Sequence, residues 1–265
     1  MNTKEKHNIP CTVSILTRNC ADVLPRALES VKDFDEIIII DGWSIDGTKE
    51  VAKKYGAKII DQERSFLDNE GRIIDFSGVR NQALEAATYD WVFFLDSDEL
   101  MTEELVREIG EIVRNDSFGA YFVPRKYLFN ERIVECATTY PNKQMRFFHT
   151  SSVKSFEKKV HERIIVKENA CVGTLAANML VPVEADINVL REKWDRYISI
   201  EAKRRRAITY RAWLWIVLGL LKISLLYTAR LPAVLLCRSR LPLLFEIERH
   251  RYHFRLARAL FNNIQ

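Results

Sequence analysis

WVFFLDSDEL, residues 91–100, runs five apolar residues straight into the acids Asp96, Asp98 and Glu99. An apolar run of this length without polar alternation predicts a strand covered on both faces, as in parallel sheets. Acids spaced this tightly repel one another by roughly a kcal/mol or more when partly desolvated. A divalent cation would relieve that repulsion, and hard ions such as Mg²⁺ or Mn²⁺ take carboxylate oxygens together with substrate phosphates. The competing reading is that the acids only favour the N-terminus of a helix starting near Thr102. Asp96 lies too early in the chain to serve as its cap.

The same strand-then-helix rhythm extends on both sides of this stretch. Residues 11–17 (CTVSILT) and 36–40 (EIIII) predict buried strands, and 57–60 a third. Helices are predicted over 21–32, 48–55 and 78–87, with an irregular, mobile loop over 62–77. Thr102 caps a further predicted helix whose apolar face is Leu105, Ile109, Ile112 and Val113. Strand signals return at 120–123, 144–148 and 164–166. This alternation predicts an α/β fold with a mostly parallel sheet flanked by helices. Ligands gather beyond the carboxyl ends of such strands. Thr17-Arg18-Asn19, Asp41 and Asp96-Ser97-Asp98 all stand there, so they are expected to share one crevice.

The 265 residues, 48% of them hydrophobic, suffice for one sizeable domain and an appendage, placed here at 9–190 and 191–265. Charge divides at the same point. Residues 1–190 carry 24 Lys/Arg against 31 Asp/Glu, and residues 191–265 carry 16 against 5. An acidic body suits metal and nucleotide chemistry, whereas a basic, aromatic, apolar tail suits an anionic surface such as a membrane. No nucleic-acid reading motif is present. Five scattered cysteines without CxxC spacing argue against a disulfide framework or a zinc site and suit a reducing compartment. No apolar run follows the charges of the N-terminus, so no signal peptide is expected, and the expected location is cytoplasmic.

Several segments, in order, resemble family 2 glycosyltransferases. WVFFLDSDEL resembles their D-x-D segment, and CTVSILTRN (11–19) the first strand and donor-contacting turn. IIIIDGWSIDGT (37–48) resembles the second strand with its D-G-x-S-x-D-G-T signature, and DFSGVRN (75–81) the arginine–asparagine helix start. With R-x-F and V-H-E elements further on, the pattern is most similar to a bacterial subgroup that includes lipopolysaccharide-core glucosyltransferases. It covers residues 10–166.

The resemblance implies a GT-A (Rossmann-like) fold and an inverting, metal-dependent transfer of a hexose from a UDP-sugar, with UDP-glucose as the first expectation. It places Thr17, Arg18 and Asn19 near base and ribose, with Ser44 beside them and Asp41 accepting from the uracil ring. For Asp41-Gly42 an ordinary turn is the alternative. Arg80 is placed near the diphosphate, where a planar guanidinium matches phosphate oxygens; a solvent-exposed helix arginine is the alternative. Asp96 would touch ribose or metal with Ser97 adjacent, Asp98 would ligate Mn²⁺ or Mg²⁺, and Glu99 would stand behind them. Arg146, in QMRFF, would contact donor or acceptor. His161 is a candidate third metal ligand and Glu162 the first candidate for the base, with Glu135 and Glu157 as substitutes. The E-D pair that supplies the base in many relatives is absent.

In the tail, the apolar runs 212–221, 223–226 and 231–237 are interrupted by Lys222 and Arg230, and each falls short of the ~20 residues a bilayer crossing needs. Amphipathic helices lying in the membrane surface are therefore expected, with Trp213 and Trp215 at headgroup level. A bilayer crossing, and packing on the body or a second subunit (a homo-oligomer), are the other options. Location on the inner face of the cell membrane would suit a glycan or lipid-linked acceptor such as lipopolysaccharide core. Competing functions are a nucleotidyltransferase, which would need a Gly-rich basic loop after the first strand, and a non-catalytic sugar-nucleotide binder or membrane scaffold. No GxGxxG follows any strand, which disfavours a dinucleotide oxidoreductase.

Overall fold

The computed structural model describes residues 8–68, 71–115, 118–157 and 163–264. The chain forms two compact units: 1–125 with 142–181, and 126–141 with 182–265. The break falls at 181/182 rather than 190/191, and residues 126–141 go with the C-terminal segment.

In chain order the first unit contains β1 (Ile9–Thr17), α1 (Leu24–Ser30), β2 (Phe34–Asp41), α2 (Thr48–Lys54), β3 (Lys58–Asp61), α3 (Phe76–Ala86), β4 (Trp91–Asp96), β5 (Leu100–Met101) and α4 (Glu103–Arg114). The chain continues through β6 (Ala120–Phe129), β7 (Arg132–Ile133), β8 (Lys143–His149), β9 (Val153–Glu157), β10 (Arg163–Val166), β11 (Val172–Thr174) and β12 (Met179–Pro182). The main sheet runs β3-β2-β1-β4-β8-β6-β12-β5. Its first four strands are parallel, as the uninterrupted apolar runs predict. From β8 onward the sheet departs from the mostly parallel expectation. β8 pairs antiparallel with both β4 and β6, and β12 antiparallel with β5, so the sheet is mixed.

Burial on both faces accounts for the strand composition. Val13, Ile15, Ile39, Phe93 and Phe147 fill one side with α1 and α4, and Ile38, Ile40, Val92, Phe94 and Phe148 fill the other with α3. Trp91 stacks on Phe147 with centroids 4.5 Å apart, locking the β4–β8 pair. Thr102 caps α4 as its position predicts, its Oγ1 accepting from Leu105 N at 3.2 Å.

The second unit holds α5 (Ile187–Arg204), α6 (Tyr210–Leu236) and α7 (Leu243–Phe261). Contrary to the expectation of short apolar pieces, α6 is one continuous helix of 27 residues, long and apolar enough by length and composition to cross a membrane. Of the two interrupting residues, Lys222 is exposed, whereas Arg230 turns toward the protein, as do Ser224 and Tyr227. Arg230 donates to the Thr138 carbonyl at 3.1 Å, Ser224 Oγ lies 2.8 Å from His253 Nδ1, and Tyr227 stacks on His253. Leu214, Trp215, Leu218, Leu221, Leu225 and Leu236 face outward, with Trp215 73% and Leu225 70% exposed. A disulfide joins Cys136 to Cys237, correcting the expectation that no such link forms. The two cysteines are 101 residues apart, so spacing gave no signal, and only the fold brings them together.

Candidate active site

Parallel register sets the site. Thr17 lies opposite Asp41, and Leu16 opposite Asp96, so the tips of β1, β2 and β4 stand side by side. Two polar clusters form there.

The first joins β1 and β2. Asp41 is fully buried, and its carboxylate accepts from Thr17 Oγ1 (2.9 Å), Ser44 Oγ (2.6 Å) and Ser44 N (2.8 Å). Lys49 Nζ lies 3.5 Å from it and 2.5 Å from Asp61. A buried carboxylate survives in a low-dielectric interior only with such partners. Asn19 closes the ring: its N–H donates to Ser44 Oγ and its Oδ1 accepts from Ile45 N, both at 2.9 Å. Asn19 adopts a left-handed φ of 47°, which asparagine tolerates. Arg18 is exposed and donates to the Gly71 carbonyl. Asp41 thus holds the shape of the turn that presents Arg18, Asn19 and Ser44.

Trp43 sits in the same turn at φ 58°, a conformation that costs a bulky residue about 1–3 kcal/mol. It is 40% exposed, its Nε1 donates to the Gln62 carbonyl, and the Arg64 guanidinium lies 4.0 Å from its ring centroid. The sequence reading passed over Trp43, although a large aromatic inside a tight D-G-x-S turn was a visible signal. Nothing local marked Lys49 or Arg64.

The second cluster surrounds β4. Arg80 comes from α3, whose N-cap Asp75 accepts from Gly78 N. It is buried rather than solvent-exposed, lies over Phe94 and donates to Asp96 Oδ1 at 2.9 Å. Arg146 reaches from β8 and bridges two acids, donating to Asp96 Oδ2 at 2.7 Å and lying 3.2 Å from Glu99 Oε2. Arg125, from β6, donates to Glu99 Oε1 at 2.7 Å, and Asp96 N donates to the same side chain. Three arginines therefore relieve the repulsion that the acids alone suggested a cation would relieve. Burial by itself raises the Asp96 carboxyl, but Arg146 and Arg80 outweigh it and hold Asp96 well below the usual carboxylate range. Burial pushes Glu99 up; Arg146 and Arg125 only partly offset that, and the charge of Asp96 adds to it. Arg125 escaped the sequence reading because its meaning depends on a partner 26 residues away.

Ser97 borders the buried Cys20 thiol, which also lies 4.0 Å from Thr48 Oγ1, so the two clusters are neighbours. Asp98 is exposed beside them. Asp46 caps locally, accepting from Thr48 N and Oγ1. His161 and Glu162 lie outside the described residues. Just before them, Asn81 is bonded in both directions to the backbone of Phe156 on β9. Glu157, at the end of β9, is exposed; Glu135 belongs to the second unit and pairs with Lys126. Among the described residues no three His, Cys, Asp or Glu side chains are grouped to hold a metal ion. Both Asp96 oxygens are already engaged, so among the described residues of this strand tip Asp98 is the carboxylate open to a hard cation. Such an ion commonly takes one or two carboxylates and completes its shell with substrate phosphates and water, so the donor set fits.

The model of the family described as glycosyl transferase family 2 matches residues 12–164. Among curated relatives, a TPR repeat-containing protein of Synechococcus elongatus is 40% identical over 116 residues, covering 43% of this chain and 27% of that protein. The SPbeta prophage-derived glycosyltransferase SunS of Bacillus subtilis is 32% identical over 161 residues, covering 60% of this chain and 36% of SunS. The chain thus spans roughly a quarter to a third of the length of these relatives. Among solved structures, S. aureus TarS 1-349 in complex with UDP aligns over 95% of this chain and 91% of that one, at 17% identity and a TM-score of 0.47. The family match covers more than half of the sequence, including the tips of β1, β2 and β4 and the arginines that gather there, and the chain belongs to glycosyl transferase family 2.

Proposed function

We propose that this protein is an inverting glycosyltransferase moving a hexose from a UDP-sugar, with UDP-glucose as the first donor to test, to a glycan or glycolipid such as lipopolysaccharide core. The observation that carries this reading is the open carboxylate of Asp98 beside Asp96, which is clamped by Arg80 and Arg146, at the strand tips where the Thr17–Asp41–Ser44 turn also lies. The turn with Thr17, Arg18, Asn19 and Ser44 receives the nucleoside, and Trp43 offers it an exposed aromatic edge. Arg80 and Arg146 keep the strand tip ordered and positively biased toward the diphosphate.

A Mn²⁺ or Mg²⁺ ion held by Asp98, with His161 as a further candidate ligand, would offset charge on the departing nucleotide. In the single displacement that inverts the anomeric carbon, an acceptor hydroxyl attacks C1 as the bond to the UDP oxygen breaks, and a carboxylate takes the hydroxyl proton. Glu162 is the first candidate for that base and Glu157 the second.

The protein is placed on the inner face of the cell membrane. Support comes from the outward apolar face of α6 and from the basic residues that precede and follow it.

The test is thermal stabilisation by a panel of nucleotide sugars, with and without Mn²⁺. UDP-hexoses are expected to stabilise selectively, and Asp98→Asn is expected to remove the metal-dependent part of that shift while leaving the metal-free part. An Asp98→Asn shift identical to wild type would refute the metal assignment. Metal-dependent hydrolysis of the donor without acceptor separates an enzyme from a binder.

A further inference from the structure

Helices α5 and α7 border an open surface pocket of about 420 Å³ lined by Arg191, Glu248, His250, Arg251, Phe254 and Arg255. It lies wholly within the second unit, and nothing in the transfer chemistry uses it. Glu248 is buried and binds both Arg191 and Arg251, each at 2.6 Å. It fixes the two guanidinium groups in place at the cost of one of their charges. Arg255 is spent on the exposed Asp195 only through Nη1, at 2.8 Å. Its Nε and Nη2 are shielded from water and have no hydrogen-bond partner among the described residues. Arg255 lines the pocket together with Arg191 and Arg251, so a phosphate seated there would meet three guanidinium groups, whose planar forks match its oxygens.

The rim of the pocket indicates where that phosphate comes from. Phe254 is 70% exposed. It belongs to a stripe along α7, Leu243, Ile247, Arg251, Phe254, Arg258 and Phe261, that is exposed throughout and mixes apolar with basic residues. This is the pattern of a helix seated at the boundary between headgroups and acyl chains. A soluble anion would gain nothing from the apolar members.

We propose that this pocket receives the phosphate of an anionic phospholipid while Phe254 and its apolar neighbours enter the bilayer. The proposal rests on the membrane-surface part of the proposed function and adds a specific headgroup site to it.

Co-sedimentation of the full chain with phosphatidylcholine vesicles carrying phosphatidylglycerol tests it. In Arg255→Gln the orphaned Asp195 is exposed to water, so the fold is expected to persist. Loss of charge-assisted hydrogen bonds should weaken vesicle binding about tenfold or more, and the deficit should persist at high salt. Arg258→Gln, on the same stripe but outside the pocket, should cost no more than about fivefold, the contribution of one basic residue near the surface, and that loss should fade with salt. Equal losses for the two variants overturn the pocket and leave the membrane reading standing. A wild-type chain that fails to bind any vesicle overturns both. Stabilisation by inorganic phosphate without vesicle binding assigns the pocket to a free anion and overturns the lipid. Should Arg255→Gln not fold, Phe254→Ser carries the test, and unchanged vesicle affinity refutes the proposal.

Discussion

Replacing Arg146 with methionine removes the guanidinium that bridges Asp96 and Glu99 while keeping a long, largely apolar side chain in its buried place. Breaking a buried ion pair by deleting one partner costs about 3–5 kcal/mol, mostly because the other charge is left uncompensated. Here the cost is moderated, because Asp96 keeps Arg80 and some water, and Glu99 keeps Arg125. About 2–3 kcal/mol is therefore expected at alkaline pH, which lowers the melting temperature of a domain this size by about 4–12 °C.

The pH dependence identifies the cause. Glu99 already titrates above its ordinary value in the folded protein, so its ionised form works against folding, and stability is regained as pH falls through the folded value. Removing Arg146 takes away an attraction that holds this value down, so the deficit should be largest at alkaline pH and shrink as pH falls and Glu99 takes up a proton. Asp96 is depressed, so its stabilising contribution is present above the ordinary Asp value of about 3.9 and is lost only at lower pH; it does not contribute to the change above that value. Urea or thermal unfolding of wild type and Arg146→Met at several pH values provides the measurement. A deficit that stays constant or grows as pH falls would show that Glu99 is not the strained partner.

Three other outcomes follow from the same contacts. Asp41→Asn places an amide NH₂ among donors that need an acceptor, so about 2–3 kcal/mol of stability and the order of the 42–45 turn should be lost together; retention of full UDP affinity would separate that turn from the nucleoside site. Thr102→Ala should cost about 1 kcal/mol through the α4 cap, seen as a lower urea midpoint with an unchanged slope. Reducing the Cys136–Cys237 link, which closes a loop of about 100 residues, should destabilise the second unit by at most about 4–5 kcal/mol; melting curves unaffected by reductant would show that the link contributes nothing.

Most of the parallel half of the sheet was legible in the sequence. CTVSILT, EIIII and WVFFL are apolar without alternation because both faces of each strand are covered, and that property is written in consecutive residues. The convergence of Thr17, Asp41 and Asp96 followed from the same strands, since polar residues immediately after buried strands must emerge at one edge. The antiparallel half was less legible, because direction depends on how the chain returns after α4, and no short segment records that.

What compensates the acids was decided only in three dimensions. Arg80, Arg125 and Arg146 come from α3, β6 and β8, and a guanidinium's partner is set by packing across tens of residues, so the acids alone suggested a cation where arginines stand. The same holds in the second unit. Hydropathy counted Arg230 as a break in an apolar run, yet once the helix is wound its side chain turns toward Thr138, while Lys222 stays exposed among the outward apolar residues. Sequence thus determined which segments are buried, through local periodicity. Tertiary structure determined which charges meet, because electrostatic partnership depends on distance in space and the chain order does not encode it.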